Sequence, residues 1–536
     1  MTGWNYARTW DAVASAAPDR EAIITDDGRR LTFSELQRRA HRLAGVLSAG
    51  GATAGDTIGI ALANGPEFVE AFWAALELGA VPANVNYLYR ADELVYVLDD
   101  FGPTALVIRA RDAAEVETAL GRVRRAPVLV LAVGDAPLPQ TMTRYDDALA
   151  SASLVSSRTH EPSGDDVFLL YTGGTTGRPK GVVWRAEDYF LMGWEIGRPG
   201  TEPPDTATAM LAGKRAATLL PASPLVHGTA LGLATQTLSG GGTVVLRTEP
   251  HLDADAIWQL AERERVEVLG IVGDVFARPL IESLEAGPSR DLSSLRAIVS
   301  SGMRFSPECQ ARFMELLPGI ATVDSLGSSE GMMTRATARG PDDIPRAFAG
   351  GAHLRVVTDD GRDAVPGSDD EGLLMVSGRL PLRYHNDPEA TAAAFREIDG
   401  VRYSIPGDRA RVLADGSIVL LGRGSACINT GGEKVYPEEV ETVLHEHADV
   451  ADVAVIGVPD PRWGEVVVAA VQPAVDGAEL APALDALCHA HLAGYKRPKR
   501  YVMLESIPRT VAGKPDYARL REQVERAPVT SERESA

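Results

Sequence analysis

A short apolar run, Asp166-Val167-Phe168-Leu169-Leu170, leads directly into Tyr171–Trp184, which reads YTGGTTGRPKGVVW. The ten residues from Thr172 to Gly181 hold four glycines, three threonines, one arginine and one lysine. A chain leaving a strand through Gly173-Gly174-Thr175-Thr176-Gly177 can aim successive backbone N–H groups at one point. Glycine accepts the positive φ this needs and lets a ligand approach the main chain. The threonine hydroxyls add donors, and Arg178 and Lys180 add charge, so the ligand that suits the cradle is a polyphosphate. The order is not G-x-x-x-x-G-K-[ST], because Lys180 follows Pro179 and precedes Gly181. A Gly/Thr-rich loop by itself reads as mobile surface; the reading as a phosphate loop depends on partners further along the chain.

The surroundings have the periodicity of an α/β protein. Asp56–Leu62 reads as a strand, and Asn64-Gly65-Pro66 opens a helix through Phe68, Phe72 and Leu76. Phe33-Ser34-Glu35-Leu36-Gln37 suggests a capping box of Ser34 and Gln37, starting a helix that stops at Gly50-Gly51. Strands over Ala105–Ile108 and Val128–Val133 flank a helix over Ala113–Arg124, and Gly134–Gly164 reads as a connection. After the loop, strands at Ala216–Leu220, Thr243–Leu246, Val268–Val272, Leu295–Ser300 and Ala321–Ser325 alternate with helical segments. Such alternation predicts largely parallel, doubly wound sheets, whose ligands sit at strand ends. From Thr334 to Leu421 short β runs dominate, separated by turns such as Asp359-Asp360-Gly361. A compact α+β unit follows. The expected organisation is α/β: residues 1–424 as a large N-terminal domain (body 1–333, β subdomain 334–421), 425–524 as a small mobile α+β domain, and 525–536 as a disordered tail.

Lys and Arg total 53 against 74 Asp and Glu, a net charge of -21, which excludes binding driven by nucleic-acid or anionic-membrane charge. A bound nucleotide must therefore rely on local cations. Cys309, Cys427 and Cys488 have no CxxC or Cys/His spacing, so they offer no disulfide framework and no zinc site, and a reducing cytoplasm fits. No signal peptide is read at the N-terminus, and no apolar run nears the roughly 20 residues of a membrane span.

Five constellations follow the loop in order: Pro224-Leu225-Val226-His227-Gly228; Asp324-Ser325-Leu326-Gly327-Ser328-Ser329-Glu330; Pro406-Gly407-Asp408; Gly422-Arg423-Gly424-Ser425 running on to Gly431-Gly432-Glu433-Lys434; and Pro508-Arg509-Thr510-Val511-Ala512-Gly513-Lys514. With the loop, and with Asn84-Val85-Asn86-Tyr87 and Tyr495-Lys496-Arg497-Pro498-Lys499, this order resembles the adenylate-forming superfamily. It looks most like bacterial fatty-acid and sterol-carboxylate CoA ligases.

The resemblance implies an ATP site built from Thr172, Gly173, Gly174, Thr175, Thr176, Gly177 and Lys180, with Gly302 and Met303 after Ser301 as one adenine wall and Asp324, Ser325, Leu326 and Ser329 as the other. Leu326 stands where the family has tyrosine, Ser329 where it has threonine, and Pro406 where it has threonine. Glu330 and Thr172 are the implied Mg²⁺ contacts, consistent with the preference of that ion for hard oxygen and few protein ligands. Asp408 would take the ribose hydroxyls, Arg423 ribose or phosphate, and Lys514 the α-phosphate and carboxylate. Catalytic roles fall to Lys514, Glu330, Thr176 and His227. Ser425 occupies the hinge, usually Asp or Lys, and Gly431, Gly432 and Lys434 line the coenzyme A tunnel. The acid pocket would comprise His227, Gly228, Val272, Gly273, Asp274 and Met332, with Thr229, Ala230, Leu231 and Met333 nearby. A histidine at a strand end is ordinarily structural, but in this company His227 reads as a pocket residue. Asp274 reads either as a helix cap or as a pocket group for a substrate bearing a donor.

The implied reaction joins a small carboxylic acid to coenzyme A through an acyl-adenylate, at the expense of ATP, with Mg²⁺. Lys514 would serve the first step and the tunnel glycines the second, by rotation about Ser425. A rival within the fold omits coenzyme A, as in enzymes that activate nitrite to diazotise an arylamine. A catalytically dead binding protein is the third reading, disfavoured by intact Thr176, Glu330, Asp408, Arg423 and Lys514. A homodimer and a cytoplasmic location are further expectations.

Overall fold

The computed structural model describes residues 3–152, 160–173, 179–197, 201–203, 211, 216–249, 251–303, 305–423, 428–474, 480–508 and 517–527. By contact the chain divides into two compact units. The first holds residues 1–87, 97–172 and 181–422, and the second 88–96, 173–180 and 423–536.

The chain begins with helix α1 (Tyr6–Ala16), strands β1 (Glu21–Thr25) and β2 (Arg30–Thr32), and α2 (Phe33–Ala49). Alternation follows: β3 (Thr57–Ala61), α3 (Pro66–Glu77), β4 (Val81–Asn84), α4 (Ala91–Phe101), β5 (Ala105–Arg109), α5 (Ala113–Leu120), β6 (Leu129–Val133), β7 (Thr143–Arg144), α6 (Tyr145–Ser151), β8 (Val167–Gly173), β9 (Pro179–Arg185) and α7 (Ala186–Gly197). Next come β10 (Thr218–Pro221), α8 (Gly228–Ser239), β11 (Thr243–Leu246), α9 (Ala254–Arg263), β12 (Val268–Ile271), α10 (Gly273–Ala286), β13 (Ala297–Ser301), α11 (Pro307–Leu316), β14 (Ala321–Ser328) and β15 (Gly331–Ala338).

These strands form two eight-stranded sheets, in the orders β15-β14-β13-β12-β10-β11-β1-β2 and β18-β9-β8-β4-β3-β5-β6-β7, where β18 is Arg383–Tyr384. In the first sheet the interior pairs are parallel, and only the outer strands β2 and β15 run antiparallel to their neighbours. The doubly wound α/β expectation is borne out. Chain order reverses at two places, between β10 and β12 and between β3 and β5; in open α/β sheets such reversals are where ligand crevices form. The main core lies among α1, α2, α3 and the second sheet: Trp10 meets Trp73 edge-on at 5.3 Å and Phe72 meets Phe168 at 5.5 Å.

The cap of α2 is not Ser34. Thr32 is the last extended residue, so its hydroxyl accepts from the Glu35 N–H at 3.2 Å while Glu35 accepts from the Thr32 N–H at 2.9 Å. Gln37 reaches Asp11 instead, at 2.8 Å. The stretch read as a connection contains β7 and α6, because Tyr145 and Leu149 have apolar surface to bury against the body.

The remainder of the first unit is β16 (Leu354–Thr358), β17 (Gly372–Ser377), β18, α12 (Pro388–Ala394), β19 (Phe395–Ile398), β20 (Val401–Ser404), β21 (Asp408–Val412) and β22 (Ile418–Arg423). Except for β18 these strands form one sheet, ordered β19-β20-β17-β21-β22 with β16 on β17.

The second unit carries β23 (Ile428–Thr430), β24 (Glu433–Val435), α13 (Pro437–Leu444), β25 (Val450–Asp460), β26 (Gly464–Pro473), α14 (Leu480–His491), β27 (Arg500–Met503) and α15 (Tyr517–Arg526). Its sheet runs β24-β23-β26-β25, with β27 parallel to β26. Leu520 and Val524 of α15 are buried against it, and the helix includes Glu525 and Arg526, which were expected in the tail. Among the described residues no helix is long and apolar enough to cross a membrane.

Candidate functional site

Parallel register brings the carboxyl ends of β10, β12, β13 and β14 level: Pro221 lies opposite Gly270, Ile271 opposite Ser300, Ser300 opposite Asp324 and Ser301 opposite Ser325. The sequence-read residues of the first sheet sit on this rim, at the β10/β12 reversal. Gly302 takes φ +90, which few other residues tolerate, and the Cβ it lacks would lie 3.6 Å from Val272 and 3.9 Å from the Thr229 hydroxyl. Gly302, Val272 and the first turn of α8 therefore converge. His227 is the residue before α8, held by its N–H on the Pro224 carbonyl at 3.0 Å, with its side chain half-buried.

The second sheet supplies the loop's anchors. Asn84, at the end of β4, accepts from the Tyr171 N–H at 2.6 Å and donates to the carbonyls of Tyr171 and Val226. One buried amide thus ties β8, just before Thr172, to the turn that carries His227. Asn64 holds the same turn from the start of α3, accepting from the Leu225 N–H at 2.7 Å. Gly228 is pressed against Leu170, and a Cβ there would come within 3.2 Å of it. Across β9, a side chain at Gly181 would meet the Tyr171 ring at 2.8 Å, which is why glycine stands there.

Glu330 lies in the turn between β14 and β15. Its Oε1 accepts from the Tyr384 hydroxyl at 2.7 Å, and the Trp184 indole donates to the Ser329 carbonyl at 2.9 Å. Tyr384 reaches this position because β18 pairs with β9, Tyr384 opposite Val182. Asn84, Asn64, Tyr384 and Trp184 were not among the residues picked from sequence. Trp184 and Asn84 lay inside quoted motifs, but nothing local in Leu382-Arg383-Tyr384 announces a partner for Glu330.

Asp274 lies in the first turn of α10. Its Oδ1 accepts from the Ser306 N–H at 2.8 Å and its Oδ2 lies 3.4 Å from Arg278. Through Ser306 it ties α10 to the start of α11, a structural role close to the cap reading. Gly273 donates to the Ser300 hydroxyl at 2.9 Å. Burial first, and Asp274 second, push the Asp324 carboxyl up to about 7. Leu326 packs against the apolar core of the third sheet, and Met333 is buried within it. Met332 covers Gly327, whose added Cβ would strike its sulfur at 2.6 Å. Asp408 opens β21 and is 9% exposed, after Gly407 with φ +91. Met303 is half-buried beside Gly302.

Within the second unit, Gly431 and Gly432 have φ +61 and +86 and make the two-residue turn of the β23–β24 hairpin, Thr430 opposite Glu433. Gly431 lies against Trp463, its N–H on the Trp463 carbonyl at 3.0 Å. Arg462 and Lys499 stand over the Trp463 ring at 5.0 and 5.6 Å. Lys434 lies on β24 and Lys180 on β9. Gly174, Thr175, Thr176, Gly177, Ser425 and Lys514 lie outside the described residues, as does the side chain of Arg423.

The family model described as AMP-binding enzyme matches residues 10–383, and that described as AMP-binding enzyme C-terminal domain matches residues 439–514. The chain is 38% identical to the 3-oxocholest-4-en-26-oate–CoA ligase of Rhodococcus rhodochrous, over 97% of this chain and 96% of that protein. It is 40% identical to the medium-chain acyl-CoA ligase Mig of Mycobacterium avium, over 96% of each. Among solved structures it is similar to the amide bond synthetase McbA from Marinactinospora thermotolerans, with a TM-score of 0.80 at 27% identity, covering 97% of this chain and 99% of that one.

Proposed function

Since the chain belongs to the AMP-binding enzyme family, we propose that it is an ATP-dependent acid–thiol ligase that activates a carboxylic acid as its acyl-adenylate and passes the acyl group to coenzyme A. The observation that carries this is full-length identity of 38–40% to proteins named as CoA ligases, with every motif of the reaction in order.

A carboxylate is a poor acyl donor because oxide would have to leave. Its oxygen attacks the α-phosphorus of ATP, the bond to pyrophosphate breaks, and the acyl-adenylate forms. Two anions must meet, so the site has to cancel charge. Lys514 and the N–H groups of residues 173–177 take that task. Glu330, with Thr172, would hold Mg²⁺: a carboxylate already oriented by the Tyr384 hydroxyl is a hard oxygen donor of the kind that ion takes. When bound, the ion supplies neutralisation of phosphate charge. Asp408 holds the ribose hydroxyls, and Ser301-Gly302-Met303 and Asp324–Leu326 flank the adenine. In the second step the thiolate of coenzyme A adds to the activated carbonyl and AMP leaves. Trp463 with Arg462 and Lys499, next to the Gly431-Gly432 turn, offers a ring and two cations of the kind a nucleotide with phosphates requires.

The acid we propose is apolar and bulky or long. The relatives named for 3-oxocholest-4-en-26-oate and for medium- and long-chain fatty acids support that class. A cytoplasmic location, a homodimer and a hinge at Ser425 belong to the same proposal.

The test separates the two half-reactions. Lys514→Ala should abolish pyrophosphate release from ATP and acid while still converting supplied acyl-adenylate to thioester. Equal loss of both steps would defeat the assignment. AMP release that ignores coenzyme A and follows nitrite with an arylamine would favour the rival reading.

A further inference from the structure

The side chains of Asp11 on α1, His41 on α2 and Glu77 at the end of α3 converge on one point away from the strand-end rim. His41 Nε2 lies 3.1 Å from Asp11 Oδ1 and 4.0 Å from Glu77 Oε1, and all three ligand atoms fall within 4.8 Å of one another. We propose that Asp11, His41 and Glu77 form a divalent-cation site of the zinc class that fastens the first three helices together.

Three features support it. The first is spacing. Bonds of roughly 2.0–2.2 Å to one ion put neighbouring ligand atoms about 3.0–3.5 Å apart, so the observed distances need only a small closing movement. The second is charge. Glu77 and Asp11 are 9% and 15% exposed, and two carboxylates face one imidazole. A divalent ion on a neutral imidazole is matched in charge by two carboxylates. The third is the surrounding shell. Gln37, one turn before His41 on α2, donates to Asp11 Oδ1 at 2.8 Å, and the Trp73 ring sets the imidazole edge-on at 6.3 Å. Glu77 also closes α3, where the helix dipole favours a cation. Imidazole with carboxylates suits zinc and its neighbours better than magnesium or calcium. The absence of cysteine spacing has no bearing on a cluster without sulfur. His41 is 31% exposed, which leaves the remaining positions to water.

The experiment uses untagged full-length protein stripped with chelator, then titrated with ZnCl₂ by calorimetry and thermal melting. The wild type should take up one more equivalent than His41→Ala and Glu77→Gln, and its melting point should rise by about 3 °C at saturating zinc. Pyrophosphate release should persist in both variants, which shows that they fold. If wild type and variants bind the same number of ions, the proposal fails. It fails equally if zinc leaves the wild-type melting point where chelator left it, since the trio is then an ion-paired cluster. Glu77→Gln, nearly isosteric, keeps the test valid should His41→Ala not fold.

Discussion

Replacing Asp324 by Asn removes a carboxyl that the fold holds at a cost. Burial and the neighbouring Asp274 push it up to about 7 from its usual 3.8. Between those values the folded chain keeps a proton that the unfolded chain has already lost, so rising pH erodes stability through this window. Below the lower value both states are protonated and nothing is lost. The full difference corresponds to at most about 4 kcal/mol, of which roughly 2–3 kcal/mol falls between about pH 5 and 8. Asn keeps the shape and has no such titration. The stability of Asp324→Asn relative to wild type should therefore rise by that 2–3 kcal/mol across the interval. Urea unfolding followed by tryptophan fluorescence at several pH values measures it. Parallel profiles for the two proteins would show that Asp324 is ionised in the fold at little cost, and the burial argument would be wrong.

Other outcomes follow from single contacts. Lys496 is 3% exposed and reaches Glu93 at 2.6 Å and Glu439 at 2.8 Å, so Lys496→Met should destabilise by about 3–5 kcal/mol near neutral pH. Burial already raises the Glu439 carboxyl; the loss should shrink as the pH is lowered and these carboxylates protonate, and a loss independent of pH would count against the charge explanation. Tyr384→Phe removes the hydroxyl that orients Glu330 and should slow pyrophosphate release roughly tenfold, with less effect on thioester formation from supplied acyl-adenylate. Unchanged adenylation would remove Tyr384 from the site.

Much of the layout could be read from local pattern. Asn64-Gly65-Pro66 starts α3 because Gly and Pro act on the backbone where they stand, and the glycines at 431 and 432 make a turn for the same reason. The alternation that predicts parallel sheets is a repeated local signal, and the order of motifs led to the family. Misreadings arose where a neighbour in space decided. Ser34 and Gln37 satisfy a capping pattern, yet Thr32 occupies the bend and Gln37 finds Asp11.

The amino-acid order by itself determined the α/β class and the family, since each depends on backbone preference or on short runs of residues in a fixed order. Only the tertiary structure decided that Tyr384 orients Glu330, that Asn84 joins β8 to the His227 turn, and that Asp11, His41 and Glu77 meet. Those pairings arise from strand register and helix packing between distant segments, and no local pattern along the chain encodes such distances.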